Sequence, residues 1–154
     1  MNKTTLSAVG FLLFYLASSQ VVAEQSEGVI RVKSKHSVAA TVDNLESALK
    51  SKGMAIFKRV SHSGGAEKVG LELRPTELMI FGNPKVGTPL MQCGQLAALD
   101  LPQKALIYED ETGQVWFAYN DPQYIAGRHN ITACDEVIER ITRALASFSR
   151  AATQ

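Results

Sequence analysis

The order of apolar and polar residues near the start of the chain predicts a strand followed by a helix. Residues 28–35, "GVIRVKSK", alternate between apolar and polar side chains, as a half-buried strand does. Ser37 then stands where an N-cap is expected, and Gly53 where a left-handed residue would end the helix. The apolar face of the predicted helix, spaced by four, three and four residues, consists of Val38, Val42, Leu45 and Leu49.

Four further strands are predicted from apolar runs that are bounded by turn-forming residues. The runs at 54–60 and 76–81 are separated by a segment rich in glycine and serine, 61–70, for which a loop is expected. The runs at 104–110 and 114–120 flank "ETG", and this arrangement predicts a β-hairpin.

Two later helices are indicated by capping residues. Thr88 followed by Pro89 predicts a helix start, because proline is favoured at the first helical position. Thr132 is expected to begin the last helix, with Asp135 as its capping partner. Strands and helices in this order predict a single α+β domain, an antiparallel sheet covered by helices on one face. The apolar face of the last helix consists of Val137, Ile138, Ile141, Leu145 and Phe148.

The first 23 residues have the pattern of a secretory signal peptide. Lys3 gives a positive start, residues 6–16 form a short apolar core, and small residues precede a cleavage site after Ala23. The alternative is an uncleaved membrane anchor, but the core is shorter than the about 20 apolar residues that span a bilayer. We therefore expect a periplasmic or secreted domain over residues 24–154, with no membrane attachment after cleavage.

Charge excludes one class of partner. The chain has 16 basic and 15 acidic residues, and the loss of Lys3 with the signal leaves 15 of each. A nucleic-acid-binding protein normally carries a basic surplus or stripe. The sequence therefore predicts no nucleic-acid partner, and it gives no reason to expect binding to an anionic membrane.

Two cysteines, Cys93 and Cys134, lie in the predicted mature domain. In an oxidising compartment an even pair is first interpreted as a disulfide, which here would close a loop of about 40 residues and add about 3–4 kcal/mol. Two buried thiols and a reactive pair are the alternatives. The absence of a Cys-x-x-Cys spacing weakens the reactive pair.

Residues 81–90, "FGNPKVGTPL", resemble a phosphate-binding loop without matching it. The lysine that should follow the second glycine is missing after Gly87. Pro84 and Pro89 remove backbone N–H groups that a phosphate would need. A strand-to-helix turn is the favoured interpretation, and binding of a small anion by Lys85 and the remaining amides stays open.

The three histidines, His36, His62 and His129, have no spacing typical of a metal site, and none is predicted. Arg128 and His129 stand before the last helix, where the pair could hold a carboxylate or a phosphate. Arg128 could equally pair with Asp121 or another nearby carboxylate, and the sequence does not separate these alternatives.

Two long segments, 62–92 and 101–131, resemble the domain of unknown function 302 family through the motifs "FGNPKVGTPLM" and "YNDP". The resemblance covers about 30–148. It implies a compact α+β domain similar to the TATA-binding-protein fold, a β-α-β(4)-α arrangement around a bent antiparallel sheet. It implies neither catalytic residues nor a cofactor. Cys93 and Cys134 look like additions to the family pattern, which favours the disulfide of an exported protein.

The function that the sequence favours is an exported module that binds a small ligand or an anion. One alternative is an interaction protein that acts through a homodimer or through an envelope partner. The other is an enzyme of unassigned class with His62 or His129 as acid or base, which requires the two side chains to share one pocket. The candidate ligand-binding residues are His62, Asn83, Lys85, Asn120, Asp121, Arg128 and His129.

Overall fold

In the part of the chain that the structure describes, six strands form one antiparallel sheet. The computed structural model describes residues 23–26 and 28–154. The predicted signal peptide lies outside the described residues except for Ala23, and it stays a prediction. The strands are β1 Ala23–Ser26, β2 Val29–Lys33, β3 Ala55–Ser61, β4 Thr76–Gly82, β5 Gln103–Glu109 and β6 Val115–Asn120. Their order across the sheet is β1-β2-β6-β5-β4-β3.

The helices connect and cover these strands, and the predicted α+β class is confirmed. Among the residues that the structure describes, no helix combines the length and the apolar character that crossing a bilayer requires. The helices are α1 Val38–Ser51, α2 His62–Glu67, α3 Pro84–Cys93, α4 Pro122–Arg128 and α5 Asp135–Thr153, with a short 3-10 helix at Gln95–Leu99.

The core lies between the sheet and two long helices, α1 and α5. Met79 on β4 pairs in register with Ala105 on β5, so both side chains point to the same face of the sheet, where both are fully buried. On α5, Phe148 meets Phe81 of β4 edge to face, with 6.2 Å between ring centroids. Burial of this one sheet face against both helices is the main source of stability. The predicted face of α1 is buried as expected, at Val38, Val42, Leu45 and Leu49.

Helix α1 begins and ends where the sequence predicts. The Ser37 hydroxyl accepts a hydrogen bond from the backbone N–H of Ala40 at 3.3 Å. Gly53 follows the helix with φ of +65°, in the left-handed region that favours glycine. Local sequence signals and burial agree here, which explains why the prediction is correct.

The expected loop over 61–70 is wrong in its first half. Residues His62–Glu67 form α2, and the Ser61 hydroxyl caps it by accepting from the N–H of Gly64 at 3.1 Å. Two glycines lower the helix propensity of this segment. The cap and the contact with β4 outweigh that cost, although no residue of α2 is fully buried.

The predicted start of the middle helix is also wrong. Helix α3 begins at Pro84, with Asn83 as its N-cap, and Pro89 lies inside the helix. Thr88-Pro89 and Asn83-Pro84 carry the same cap-then-proline signal. The first of the two along the chain follows directly after the strand and starts the helix.

The last part of the chain differs from the prediction at two points. Asp121-Pro122, directly after the predicted strand 114–120, begins the short helix α4, for which no helix was predicted. Helix α5 starts at Asp135, not at Thr132. Ala133 has φ of +61°, a left-handed conformation that interrupts any helix begun earlier. The apolar face of α5 is confirmed, with Ile138, Ile141, Leu145 and Phe148 buried.

Candidate functional site

A cleft of about 530 Å³ opens between α3 and α5, at the end of β4 where the "FGNPKVGTPLM" segment leaves the sheet. The segment around Pro102 closes a third side, and Met54 and Phe57 lie at the β3 edge. Most of the side chains that line it are apolar. A concave site of this size is in the range that small-molecule ligands occupy.

Asn83 shapes the first wall of the cleft. Its side-chain oxygen accepts from the N–H of Lys85 at 2.9 Å. Its backbone carbonyl accepts from the N–H groups of Val86 at 2.8 Å and Gly87 at 2.9 Å. The first amides of α3 are therefore used within the turn, and Pro84 has none. The segment that resembles a phosphate loop forms an apolar wall here and presents no cradle of amides.

Helix α5 supplies the opposite wall. Ile141, Leu145 and Phe148 line the cleft, and each is at most 7 % exposed because each also belongs to the core. Phe81, which packs against Phe148, lies fully buried at the base of the cleft. This wall is held by the same contacts that stabilise the fold.

Small side chains on both helices leave the space open. Gly87 and Thr88 line the cleft from α3, and Ala144 and Ser147 line it from α5. Protein interiors are packed to nearly crystalline density, so small residues facing each other across two helices leave a volume that larger ones would fill. The cleft follows from residue size at these four positions.

The mouth of the cleft depends on Gly82. A Cβ at this position would stand 3.3 Å from Cε2 of Phe57 and 3.6 Å from Cβ of Pro102, so glycine lets both rings approach. Phe57 is 55 % exposed at this edge. Of the described residues that line the cleft, Lys52 alone carries a charge. The site is apolar inside, with one cation at the outside.

The predicted site residues are not gathered in this cleft. Asn83 lines it, but Lys85 beside it is exposed and does not. Asn120 is the last residue of β6 and pairs with Val29 of β2. Asp121 caps α4, where its side chain accepts from the N–H of Gln123 at 2.9 Å. Asn120 and Asp121 therefore have structural roles, one in strand pairing and the other as a helix cap.

Arg128 and His129 converge on a carboxylate that the sequence did not single out, Asp100. One Asp100 oxygen lies 3.2 Å from Nη1 of Arg128 and the other 2.5 Å from Nε2 of His129. The His129 side chain is only 5 % exposed. Arg128 thus pairs with a nearby carboxylate, as one of the two open alternatives held, and that carboxylate is Asp100.

His62 is far from that cluster. It follows Ser61, which pairs with Glu77 near the start of β4, whereas the cleft and Gln103 lie at the Phe81 end of the same strand. His129 belongs to the Phe81 end through Asp100, three residues before Gln103. The shared two-histidine pocket that the enzyme alternative requires is not formed.

The cysteine pair joins the end of α3 to the residue that precedes α5. Cys93 and Cys134 form a disulfide with Cα atoms 6.4 Å apart, in agreement with the favoured prediction. In the part of the chain that the structure describes, no group of three histidine, cysteine, aspartate or glutamate side chains is arranged to hold a metal ion.

Sequence reasoning predicted Asn83 but missed most of the residues that line the cleft, and it took Ile141, Leu145 and Phe148 only as the apolar face of the last helix. No sequence pattern distinguishes the other apolar lining residues, such as Val86, Met91, Leu101 and Ala144. They line the cleft only because of how their helices and connecting segments pack together. The signal that could have found them is the run of small and helix-breaking residues at 87–89, which cannot fill the space beside a helix.

In comparison with known proteins, this chain is similar to one part of several longer proteins. The chain is 48 % identical over 110 residues to the "Fluoride-specific ion channel FluC 1" of Brucella suis biovar 1 (strain 1330), covering 71 % of this chain and 43 % of that protein. The "Fluoride-specific ion channel FluC 2" of Brucella melitensis biotype 1 matches at the same identity, with 41 % of its length covered. The chain therefore spans about two-fifths of these curated relatives.

A solved structure shows the same fold. The crystal structure of the uncharacterized conserved protein DUF302 from Bacillus stearothermophilus superposes with a TM-score of 0.74 at 21 % identity, covering 82 % of this chain and 99 % of that one. The family model "Domain of unknown function DUF302" matches residues 30–148, the range that the sequence motifs indicated. The chain is a member of the DUF302 family.

Proposed function

We propose that this protein is an exported binding module whose cleft between α3 and α5 takes a small, mainly apolar molecule. The observation that supports this proposal is the cleft itself, about 530 Å³ in volume and lined by side chains such as Val86, Met91, Leu101 and Leu145. Asn83 and Gln103 add polar groups that can orient a ligand.

Burial of apolar ligand surface provides the driving force. Each square ångström of apolar surface removed from water is worth about 25 cal/mol, and the ordering of the ligand opposes part of this gain. A cleft that already exists in the protein needs little rearrangement to bind. The segment that identifies the family, from Gly82 to Met91, supplies one wall of the cleft, which is what a binding role for this segment requires.

The experiment is a fluorescence titration with N-phenyl-1-naphthylamine, an uncharged apolar probe, on the protein and on two matched variants. Ala144→Trp places an indole in the cleft, whereas Ala151→Trp places one on the exposed side of the same helix. We expect the first variant to weaken probe binding by about tenfold or more and the second to leave it unchanged.

Ala98→Trp repeats the test from the exposed mouth of the cleft, away from the core. Circular dichroism of each variant checks that it is folded. The proposal is wrong if folded wild-type protein does not bind the probe, or if blocking the cleft at both positions leaves binding intact.

The sequence also left open that the protein binds an anion. The wall at Asn83 gives this little support, because the backbone amides there already donate hydrogen bonds to Asn83. The names of the Brucella relatives make fluoride the anion to test. Titration of fluoride and phosphate against the protein, followed by calorimetry, is expected to give no saturable heat. A saturable response to either ion would return the site to an anion-binding role.

Export is the second part of the proposal, and the disulfide supports it because such bonds persist in oxidising compartments. The test is expression of the full chain with a C-terminal epitope in a Gram-negative host, followed by fractionation and N-terminal sequencing. We expect a periplasmic product that begins at Glu24. A full-length product in the cytosol, with both thiols reduced, would contradict export.

A further inference from the structure

The disulfide joins the two walls of the cleft. Cys93 is the last residue of α3, and Cys134 directly precedes the first residue of α5. Met91, two residues before the bridge, lines the cleft from one side. Ile141, seven residues beyond the bridge, lines it from the other. The covalent link therefore fixes the distance between the walls at one end of the cleft.

Helix α3 contributes few side chains to the buried core, with Leu90 in it and Val86 and Cys93 packed against it. Within its ten residues, Leu90 is the one that is fully buried. Gly87 and Pro89 lie in its interior, and Pro89 removes one intrahelical hydrogen bond. A helix with this composition depends on its ends for its position. Asn83 holds the first end, and the disulfide holds the last.

We propose that this disulfide is a redox switch for the cleft, an inference that rests on the proposed ligand-binding function. In the oxidised protein, α3 is held against α5 and the cleft is preorganised for a ligand. When the bridge opens, the C-terminal half of α3 moves away from α5 and the affinity of the cleft falls. Preorganisation of a site contributes to affinity because less ordering is needed on binding.

The partner that this switch implies is a dithiol reductant, such as the reduced active site of a disulfide oxidoreductase. One thiolate of the reductant attacks a sulfur of the bridge and forms a mixed disulfide. The second thiolate displaces the protein thiol. Cys93 and Cys134 gain two electrons and two protons, and the dithiol becomes a disulfide. Neither cysteine is fully buried in the fold, so the bridge can be approached.

The test measures binding of N-phenyl-1-naphthylamine to the oxidised protein, to the protein reduced with dithiothreitol, and to the double variant Cys93→Ser/Cys134→Ser. We expect the dissociation constant for the probe to rise by about tenfold or more in the reduced protein and in the double variant, which both lack the bridge. Reoxidation of the wild-type protein should restore the original value, while the double variant should stay unresponsive to either reagent.

Amide hydrogen exchange on the same samples separates a switch from general unfolding. Reduction should speed exchange more in α3, at residues such as Met91, than in α5, at residues such as Leu145. An equal loss of protection in both helices would overturn the switch, because the bridge would then act only on the stability of the whole fold. Equal probe binding, within about twofold, in the oxidised and reduced proteins would overturn it as well.

These outcomes are distinct from failure of the proposed function. If the oxidised protein does not bind the probe, the cleft is not a ligand site and the switch is lost with it. If it binds equally well in both redox states, the binding function stands and the switch alone is wrong.

Discussion

Helices α5 and α3 face each other across the cleft, and they are held in place by different means. Helix α5 has 19 residues with an apolar face that repeats at helical spacing, and seven of its residues are buried. Helix α3 has 10 residues, of which one is fully buried, and it contains both a glycine and a proline in its interior. Core packing fixes α5, whereas a cap and a covalent bond fix α3.

The difference indicates how a ligand site can be built at the edge of a small core. One wall carries seven buried residues, so we expect its geometry to change little. The other wall carries one fully buried residue, so we expect it to move more easily than α5, as segments that bind ligands often do. Substitutions in the two helices should therefore have separable effects on stability and on binding.

The largest expected effect is on the α5 side. Phe148→Ala removes a buried ring that packs against Phe81, and we expect it to lower the free energy of unfolding by about 3–5 kcal/mol. The counterpart on α3, Met91→Ala, should cost no more than about 1 kcal/mol because Met91 is only half-buried. Urea unfolding of both variants measures the contrast, and equal losses would remove the distinction between the two walls.

Removal of the disulfide should have the next largest effect on stability. Cys93→Ser/Cys134→Ser frees a segment with a sequence separation of 41 residues, and we expect a loss of about 3–4 kcal/mol. Urea unfolding of the wild-type protein with and without dithiothreitol gives the same comparison without a substitution. A change below about 1 kcal/mol would mean that α3 keeps its position without the bridge.

A smaller effect of opposite sign is expected at Gly87 in α3. A Cβ at this position would lie 3.8 Å from Cδ1 of Leu101, an ordinary van der Waals contact. Gly87→Ala should therefore raise the free energy of unfolding by about 0.5–1 kcal/mol, because alanine loses less backbone entropy in a helix. Thermal unfolding measures the change, and the same variant should reduce the effect of dithiothreitol on probe binding.

Substitution of Asp110, in the β5–β6 hairpin, is expected to change the pH dependence of stability and to have the smallest effect on probe binding in the cleft. Hydrogen bonds from the Trp116 indole and the Thr112 hydroxyl hold the pKa of Asp110 well below its usual range. The folded protein thus binds this proton less readily than the unfolded chain. The contribution of Asp110 is present above the unfolded pKa of about 3.9 and is lost as the pH falls toward the folded pKa.

Asp110→Asn should accordingly lose stability at pH 6 and differ less from the wild-type protein as the pH is lowered below about 4. Urea midpoints at several pH values test this. Probe binding at pH 7 should be the same in the variant and the wild-type protein. A change in binding would show that the hairpin and the cleft are coupled, contrary to the assignment of the site to α3 and α5.

Much of the fold could be predicted because its main elements carry redundant signals. Helix α1 has a cap at Ser37, an apolar face and a terminating glycine, and all three agree with its burial. The errors fall where one local signal competes with another. Asn83-Pro84 and Thr88-Pro89 are equally good helix starts, and only the end of β4 decides between them.

The candidate site was predictable in part. Asn83 was among the predicted binding residues, and the disulfide was the favoured interpretation of the two cysteines. The cleft itself depends on which side chains face each other across two helices separated by more than 40 residues of chain, at Gly87 and Ala144 for example. The pairing of Arg128 and His129 with Asp100 depends on the same kind of long-range contact, which a single sequence does not encode locally.

The claim that the cleft is a ligand site is tested most directly by NMR of the oxidised, isotope-labelled protein during titration with N-phenyl-1-naphthylamine. We predict that the amide shifts that change will be confined to residues 52–57, 81–91, 98–103 and 141–148, the four parts of the chain that meet at the cleft. Shifts centred on His62 and α2, shifts centred on the β5–β6 hairpin, or no saturable shifts at all would contradict the account.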